Sequence, residues 1–329
     1  MEVLFAREQF NVGMPWTELA PLLPGWRIRA CPSAELADHL SGVDVVCPFG
    51  TPVPATAIAS GEFGLVQQFG VGLDGIDMDA ATHHGVWVAR LPGELTGNAD
   101  SVAELAVLYL LALVRRFDDA RRALRERRWG EPMSRSVADC TVLVVGLGAV
   151  GRAVVARLRP FGPRIVAVRA HPERGVVAGV EQVVGTSDLV GAVGQADVVI
   201  CAAMLDADSR GLFDARVFSS FKPGAVFINV ARGGLVEESA LLDALESGTV
   251  SGAGLDVHAT EPADPDSRLL RHPSVLSTPH LAGLTERMFR RSGDLFAANL
   301  QRWKSGQPPE WAANTPRHQR HRASGGGHQ

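Results

Sequence analysis

The chain has 329 residues, 46% of them hydrophobic and 21% charged, with a net charge of -4. That length suggests two domains, and the composition is that of an ordinary globular chain. The mild negative charge gives no reason to expect nucleic acid or an anionic membrane as partner. Cys31, Cys47, Cys140 and Cys201 are widely spaced with no C-x-x-C pair, so no zinc site, no other metal and no disulfide framework is expected. The opening run MEVLFAREQF lacks the charged-then-apolar order of a signal peptide. The longest wholly apolar run, 105–114, is too short to span a bilayer. A reduced, cytoplasmic setting is the expectation.

In chain order, short β-rich runs at 3–6, 27–30, 43–47, 65–69 and 87–89 alternate with helical stretches, which predicts a parallel sheet with helices on both faces. An S-x-x-E capping pattern follows, Ser101 and Glu104, just ahead of the apolar run. The pattern predicts one helix from there to about Arg128, long enough to bridge two domains. A second alternation starts at Thr141, with strands predicted at 141–145, 164–168, 197–202, 225–229, 252–255 and 275–277. Helices fit 150–160, 214–220 and 237–247, so this stretch reads as a second doubly wound α/β domain. A last helix is predicted over 286–304 and could return to the first domain. The tail 314–329 is polar and is expected to be disordered, and its histidines His318, His321 and His328 read as solvated.

The first chemistry-bearing motif is Gly146-Leu147-Gly148-Ala149-Val150-Gly151. A G-x-G-x-x-G between an apolar strand and a helix is the dinucleotide-binding fingerprint. Gly146 permits the tight turn, Gly148 lets the backbone approach a pyrophosphate, and Gly151 lets the helix pack close to the strand. The N–H groups of Ala149 and Val150 would face the phosphates at the positive end of the helix. An acid near the end of the second strand normally accepts from the ribose 2′-OH. Here Arg169 stands at that point, with His171 and Arg174 behind it. A guanidinium can pair with a 2′-phosphate through two parallel hydrogen bonds, so NADP is the expected cofactor. Glu173 is a displaced acid that would serve NAD instead.

Three later segments each follow a predicted strand. They are Phe227-Ile228-Asn229-Val230-Ala231-Arg232-Gly233-Gly234, then Gly254-Leu255-Asp256-Val257-His258-Ala259-Thr260-Glu261-Pro262, then Ser277-Thr278-Pro279-His280-Leu281-Ala282-Gly283. In an open α/β sheet ligands sit beyond the carboxyl ends of the strands, so an Arg, a Glu and a His should collect on the edge that carries the glycine loop.

These segments resemble the D-isomer-specific 2-hydroxyacid dehydrogenase family, in particular its glyoxylate/hydroxypyruvate reductase-like members. The resemblance also takes in Gly70-Val71-Gly72-Leu73-Asp74-Gly75-Ile76-Asp77 and the stretches 196–200 and 222–225. It implies a flavodoxin-like substrate domain at 1–97 and 285–313, and an inserted Rossmann dinucleotide-binding domain at 98–284. By the same resemblance His280, Glu261 and Arg232 are the catalytic residues. Arg232 holds the substrate carboxylate, and Glu261 pairs with His280. Asp256 contacts the nicotinamide amide, and Ala202, Ala203, Val230, Ala231 and Gly283 complete the cofactor contacts. Val71 and Gly72 receive the substrate carboxylate. Phe49 stands where a substrate-lining residue is expected, and a core role fits that ring equally. A homodimer is implied, with the helix after Ser101 as an interface element.

That chemistry suits these residue types. Reduction of a 2-keto acid builds negative charge on the carbonyl oxygen as hydride arrives. A protonated His280 can give that oxygen its proton, and a neutral ring can take it back in oxidation. Glu261 would fix the tautomer, and Arg232 would hold the carboxylate. A cleft between the domains should close and exclude water. The expected function is hydride transfer between NAD(P)H and the 2-position of a small 2-keto or 2-hydroxy acid. The alternatives are a dinucleotide-sensing corepressor-like protein, since the same fold family includes such proteins, and a hydride transferase acting on a phosphorus oxyanion. The chain departs from the family pattern at Met204, where a proline is usual, and at His258, where an aromatic is common. His258 reads as a packing residue or a support for the site.

Overall fold

The computed structural model describes residues 1–7, 19–175 and 177–320. The chain divides into two compact units, Met1–Asn98 with Thr285–Gln329, and Ala99–Leu284.

The first unit holds five parallel strands: β1 (Glu2–Phe5), β2 (Arg27–Ala30), β3 (Val45–Cys47), β4 (Leu65–Gln67) and β5 (Trp87–Ala89), in the order β2-β1-β3-β4-β5. This is the flavodoxin-like order, with its switch point between β1 and β3. Successive side chains alternate between two cores, as the strand period of two demands. Val3, Phe5, Val45, Leu65 and Trp87 enter one, and Leu4, Val46, Val66 and Val88 enter the other. Burial on both faces is why β1, β3, β4 and β5 are mostly apolar, and the buried exceptions Glu2 and Gln67 are hydrogen-bonded to Arg29 and Asn299. The helix Glu286–Lys304 closes the first face with Phe289, Phe296, Leu300 and Trp303. It starts at Thr285, whose hydroxyl accepts from the Met288 amide at 3.2 Å.

The tail from Asn314 departs from expectation, because described residues 314–320 are tied to this unit. β5 is an edge strand, whose free backbone groups need partners. Asn314 Oδ1 accepts from the Val88 amide at 2.8 Å, and the Ala313 amide donates to the Val88 carbonyl at 2.7 Å. The Arg320 guanidinium donates to the carbonyls of Ile58 (2.8 Å), Gly61 (2.6 Å) and His84 (3.1 Å). Polar composition at 314–320 supplied backbone partners rather than disorder. Residues 321–329, with His321 and His328, lie outside the described residues.

The second unit holds seven parallel strands: β6 (Thr141–Val145), β7 (Arg164–Val168), β8 (Gln182–Val184), β9 (Val198–Cys201), β10 (Ala225–Asn229), β11 (Val250–Leu255) and β12 (Val275–Ser277). Their order is β12-β11-β10-β9-β6-β7-β8, a Rossmann sheet with one extra strand. The alternation again serves two cores, with Leu143, Val199 and Phe227 on one side and Val142, Val198 and Ile228 on the other. β8 was not predicted. It is a three-residue edge strand, half-exposed, and lacks the apolar run that marks a buried one.

The single helix expected from Ser101 to Arg128 is two helices, Asn98–Val114 and Phe117–Arg125. The first begins three residues before Ser101. Gly97 turns the chain at φ 79° and the Thr96 hydroxyl accepts from the Asn98 amide at 3.2 Å. Ser101 is therefore buried inside the helix, and Glu104 reaches Arg157 at 3.3 Å instead of capping. The break falls at Arg116, in the left-handed region at φ 50°. Arg116 Nε donates to Asp119 at 2.9 Å, and Asp118 and Asp119 sit in the first turn of the new helix, where negative charge meets the positive end of the helix dipole. Among the described residues no helix is long and apolar enough to cross a membrane, and all four cysteines are free and buried.

Candidate active site

The glycine turn sits where the strand order reverses, between β6 and β9, at the start of the helix Ala149–Leu158. Gly146 has φ 99°, and a Cβ there would lie 2.6 Å from the Ala202 carbonyl oxygen. A Cβ on Gly151 would lie 1.8 Å from the Gly146 carbonyl oxygen, so only glycine lets the helix press on the turn. A Cβ on Gly148 would meet nothing within 4 Å, so the backbone there faces open space at the helix N-terminus. This cradle fits a dinucleotide pyrophosphate, with the amides of Ala149 and Val150 at the positive helix end. Arg169 follows β7, and its amide donates to the Val184 carbonyl at 3.1 Å. Its side chain is half-buried and makes no ion pair among the described residues. Glu173 is exposed and lies 3.3 Å from His171 Nδ1.

A row of backbone hydrogen bonds levels the carboxyl ends of five strands. The amide of Ala202 donates to Val145, Val230 to Cys201, Asp256 to Asn229, and Thr278 to Leu255. The loops after β10, β11 and β12 therefore leave one edge side by side, and they carry Arg232, Glu261 and His280. Asn229 shapes the first loop, accepting from the Ala231 amide and donating to the Arg232 carbonyl, both at 3.0 Å. Arg232 is half-buried, with one guanidinium nitrogen 2.7 Å from the Ala231 carbonyl. A Cβ on Gly233 would collide with the His258 carbonyl, so the first two loops touch. Glu238 accepts from the Ala259 amide at 2.8 Å and anchors the second loop to the helix Glu238–Glu246.

His280 and Glu261 meet directly, Nδ1 to Oε2 at 2.7 Å. The other Glu261 oxygen accepts from the His258 amide at 3.1 Å. Burial pushes the Glu261 carboxyl up, but the hydrogen bond and charge of His280 and the contacts from His258 outweigh it and hold it below the usual range. An ionised carboxylate only accepts, so Nδ1 carries the ring proton and a neutral ring leaves the Nε2 lone pair available. Side-chain exposure of 43% for His280 and 37% for Glu261 leaves the pair open to a substrate. His258 is buried, and its Nε2 donates to the Thr278 carbonyl at 3.0 Å.

Asp256 is 1% exposed, and its carboxylate is committed to the histidine loop. Oδ1 accepts from the Thr278 hydroxyl at 2.5 Å and the Leu281 amide at 2.8 Å, and Oδ2 from the Ala282 amide at 3.0 Å. Gly283 follows directly. Ala202 and Ala203 are half-buried after β9, Val230 and Ala231 are buried after β10, and Met204 is 74% exposed. In the first unit the loop with Val71 and Gly72 follows β4, and the Gln68 side chain donates to the Gly72 carbonyl at 2.8 Å. The Phe49 ring stacks on Phe69 at 5.6 Å beneath Arg7, so it belongs to that unit's aromatic cluster while staying half-exposed. Sequence reading gave no role to Asn229, Glu238, Thr278 or Tyr109. Asn229 and Thr278 lie inside the quoted segments, and Tyr109 is marked by being the only tyrosine of the chain.

The sheet order and the glycine cradle define a dinucleotide-binding α/β protein. Residues 107–282 match the D-isomer specific 2-hydroxyacid dehydrogenase, NAD binding domain. The chain belongs to the D-isomer specific 2-hydroxyacid dehydrogenase family. A curated relative, D-3-phosphoglycerate dehydrogenase of Mycobacterium leprae, is 37% identical over 262 residues, 78% of this chain and 48% of the relative. The chain thus spans about half the length of that relative. Among solved structures, an NAD-dependent formate dehydrogenase from Staphylococcus aureus in complex with NAD is 25% identical at TM-score 0.84, over 96% of this chain and all of that one. A D-isomer specific 2-hydroxyacid dehydrogenase from Xanthobacter autotrophicus, in complex with NADPH and MES, is 28% identical at TM-score 0.76, over 95% of this chain and 98% of that one.

Proposed function

We propose that this protein is a cytoplasmic NADPH-preferring reductase that converts a small 2-keto acid, of the glyoxylate or hydroxypyruvate kind, to the D-2-hydroxy acid, and runs the reverse oxidation. The observation that carries the reading is the 2.7 Å His280–Glu261 pair, open to solvent on the strand edge that also bears the glycine cradle. Bound at that cradle, a nicotinamide dinucleotide supplies the hydride. His280, held through Nδ1, presents Nε2 to the substrate oxygen, gives it a proton in reduction and removes one in oxidation. Glu261 stays ionised and balances the charge that the ring carries between turns. Arg232 binds the substrate carboxylate through charge-assisted hydrogen bonds, and the backbone at Val71 and Gly72 is a further carboxylate receptor carried over from the family.

Arg169 supports NADPH, because a guanidinium complements a 2′-phosphate and is a poor partner for a bare ribose hydroxyl. Self-association into a homodimer is part of the same reading. Leu108, Phe117, Leu124, Trp129 and Met133 are all exposed within one short stretch of the second unit, and such apolar side chains favour a partner surface.

The test follows NADPH and NADH absorbance with glyoxylate, hydroxypyruvate and its 3-phospho ester. The ester is included because relatives are named D-3-phosphoglycerate dehydrogenase. Wild type is expected to oxidise NADPH with at least one acid, and His280→Ala to lose roughly 10²- to 10⁴-fold in kcat. Tight cofactor binding with no turnover of any acid would overturn the reductase reading.

A further inference from the structure

Tyr109 lies on the helix Asn98–Val114, 4% exposed and remote in sequence from every catalytic motif. Its side chain packs against Gly254 in β11, where a Cβ would sit 2.6 Å from Tyr109 Cγ. The hydroxyl thereby reaches the carboxyl ends of β11 and β12. It is 2.6 Å from Thr278 Oγ1 and 3.2 Å from the Leu255 carbonyl.

The protons can be assigned. Asp256 Oδ1 is an acceptor 2.5 Å from Thr278 Oγ1, so the single Thr278 hydroxyl proton points there. Thr278 Oγ1 must then accept from Tyr109, which shares its proton with the more distant Leu255 carbonyl. Burial pushes the tyrosine hydroxyl up to about 12, so it remains a donor at any working pH.

Thr278 is the node of this chain. Its carbonyl accepts from the His258 ring at 3.0 Å and from the His280 amide at 3.1 Å. Asp256 grips the same loop on both sides of the histidine, through its carbonyl to the His280 amide (2.7 Å) and its carboxylate to the Leu281 and Ala282 amides. His280 itself is held at φ 51°, a left-handed conformation that is strained for a side chain with a Cβ and persists only where the surroundings impose it.

We propose that Tyr109 is a positioning residue for His280, acting through Thr278 and Asp256 to hold the strained loop that aims the imidazole at Glu261. This rests on His280 being the proton carrier. Substituting Tyr109→Phe keeps the ring on Gly254 and removes only the hydroxyl. Thr278 Oγ1 then loses the donor that ties it to the helix Asn98–Val114, while its own proton stays on Asp256.

The experiment has two arms on the full chain. Steady-state kinetics with NADPH and the best keto acid are expected to show kcat about tenfold lower in Tyr109→Phe, with the KM for NADPH unchanged. Thr278→Val should fall at least as far, Thr278→Ser should recover most of the activity, and the double variant Tyr109→Phe/Thr278→Val should be no worse than Thr278→Val alone. Nitrogen NMR on histidine-labelled protein reads the His280 tautomer without any substrate. Wild type and Thr278→Ser should show the proton on Nδ1, and Tyr109→Phe a mixture. A lower melting temperature in Tyr109→Phe with kcat and tautomer unchanged would reduce Tyr109 to a packing residue and overturn the proposal. If no keto acid turns over, the proposed function fails, and the tautomer arm still decides the role of Tyr109.

Discussion

In the proposed NADPH reading, Arg169 is the residue on which cofactor choice turns. It stands at the end of β7, and no carboxylate among the described residues neutralises it. The acid that would favour a ribose hydroxyl, Glu173, is exposed and engaged with His171. Replacing Arg169 with Ala should raise the KM for NADPH about tenfold, equivalent to about 1.4 kcal/mol, and leave the KM for NADH within a factor of two. Equal effects on both cofactors would show that Arg169 does not read the 2′ position. Asp256 carries a different lesson at the same scale. The family resemblance gives it a cofactor contact, whereas its carboxylate's bonds all run to Thr278, Leu281 and Ala282, so its first task is to shape the loop that bears His280.

At the scale of elements, the amino end of the second sheet is pinned by Asp197, just before β9. Its carboxylate accepts from Lys222 at 2.7 Å, the Thr141 amide at 2.9 Å and Arg135 at 3.2 Å. Burial pushes this carboxyl up, yet those partners outweigh it and hold it below the usual value. A carboxyl lowered in the folded state stabilises the fold above the unfolded pKa, and the benefit disappears as pH falls through the folded value. Asp197→Asn should therefore cost about 1–2 kcal/mol at pH 7, discounted for the half-exposed Lys222 and Arg135. The gap in urea midpoint between variant and wild type should begin to narrow near the unfolded carboxylate value of about 4 and close as pH falls through the lower folded value. A gap that does not narrow at all between pH 7 and the acid end of the titration would mean that packing rather than charge is at stake.

Elements also show what was legible in the sequence. β6, β7 and β10 were readable to the residue, because strands buried on both faces are apolar over most of their length. β8 escaped because an edge strand has no such requirement. The break at Arg116 escaped because neither Gly nor Pro marks it. The turn is fixed by Asp119 holding the Arg116 guanidinium and by acidic residues at the new helix start, an arrangement a periodicity search does not see.

At the scale of the whole molecule, apolar side chains crowd the 108–133 stretch, where Leu124 is 76% and Trp129 97% exposed. Light scattering should give wild type twice the chain mass. The variant Leu124→Glu/Trp129→Glu should give the chain mass, with its melting profile showing a folded protein. A variant that remains a dimer would move the interface elsewhere.

The sequence by itself determined the two parallel α/β units, the glycine cradle and the placing of an Arg, a Glu and a His in the loops after three strands of one sheet. Local patterns and residue types carry that information: period-two burial fixes strands, and the pyrophosphate turn tolerates only glycine at Gly146 and Gly151. Tertiary structure alone decided which partners those residues meet. Tyr109 and Thr278 are 169 positions apart and 2.6 Å distant. Asn314 closes the edge of β5 from 226 positions away. Such contacts depend on how sheet and helix surfaces stack, and no local spacing encodes that.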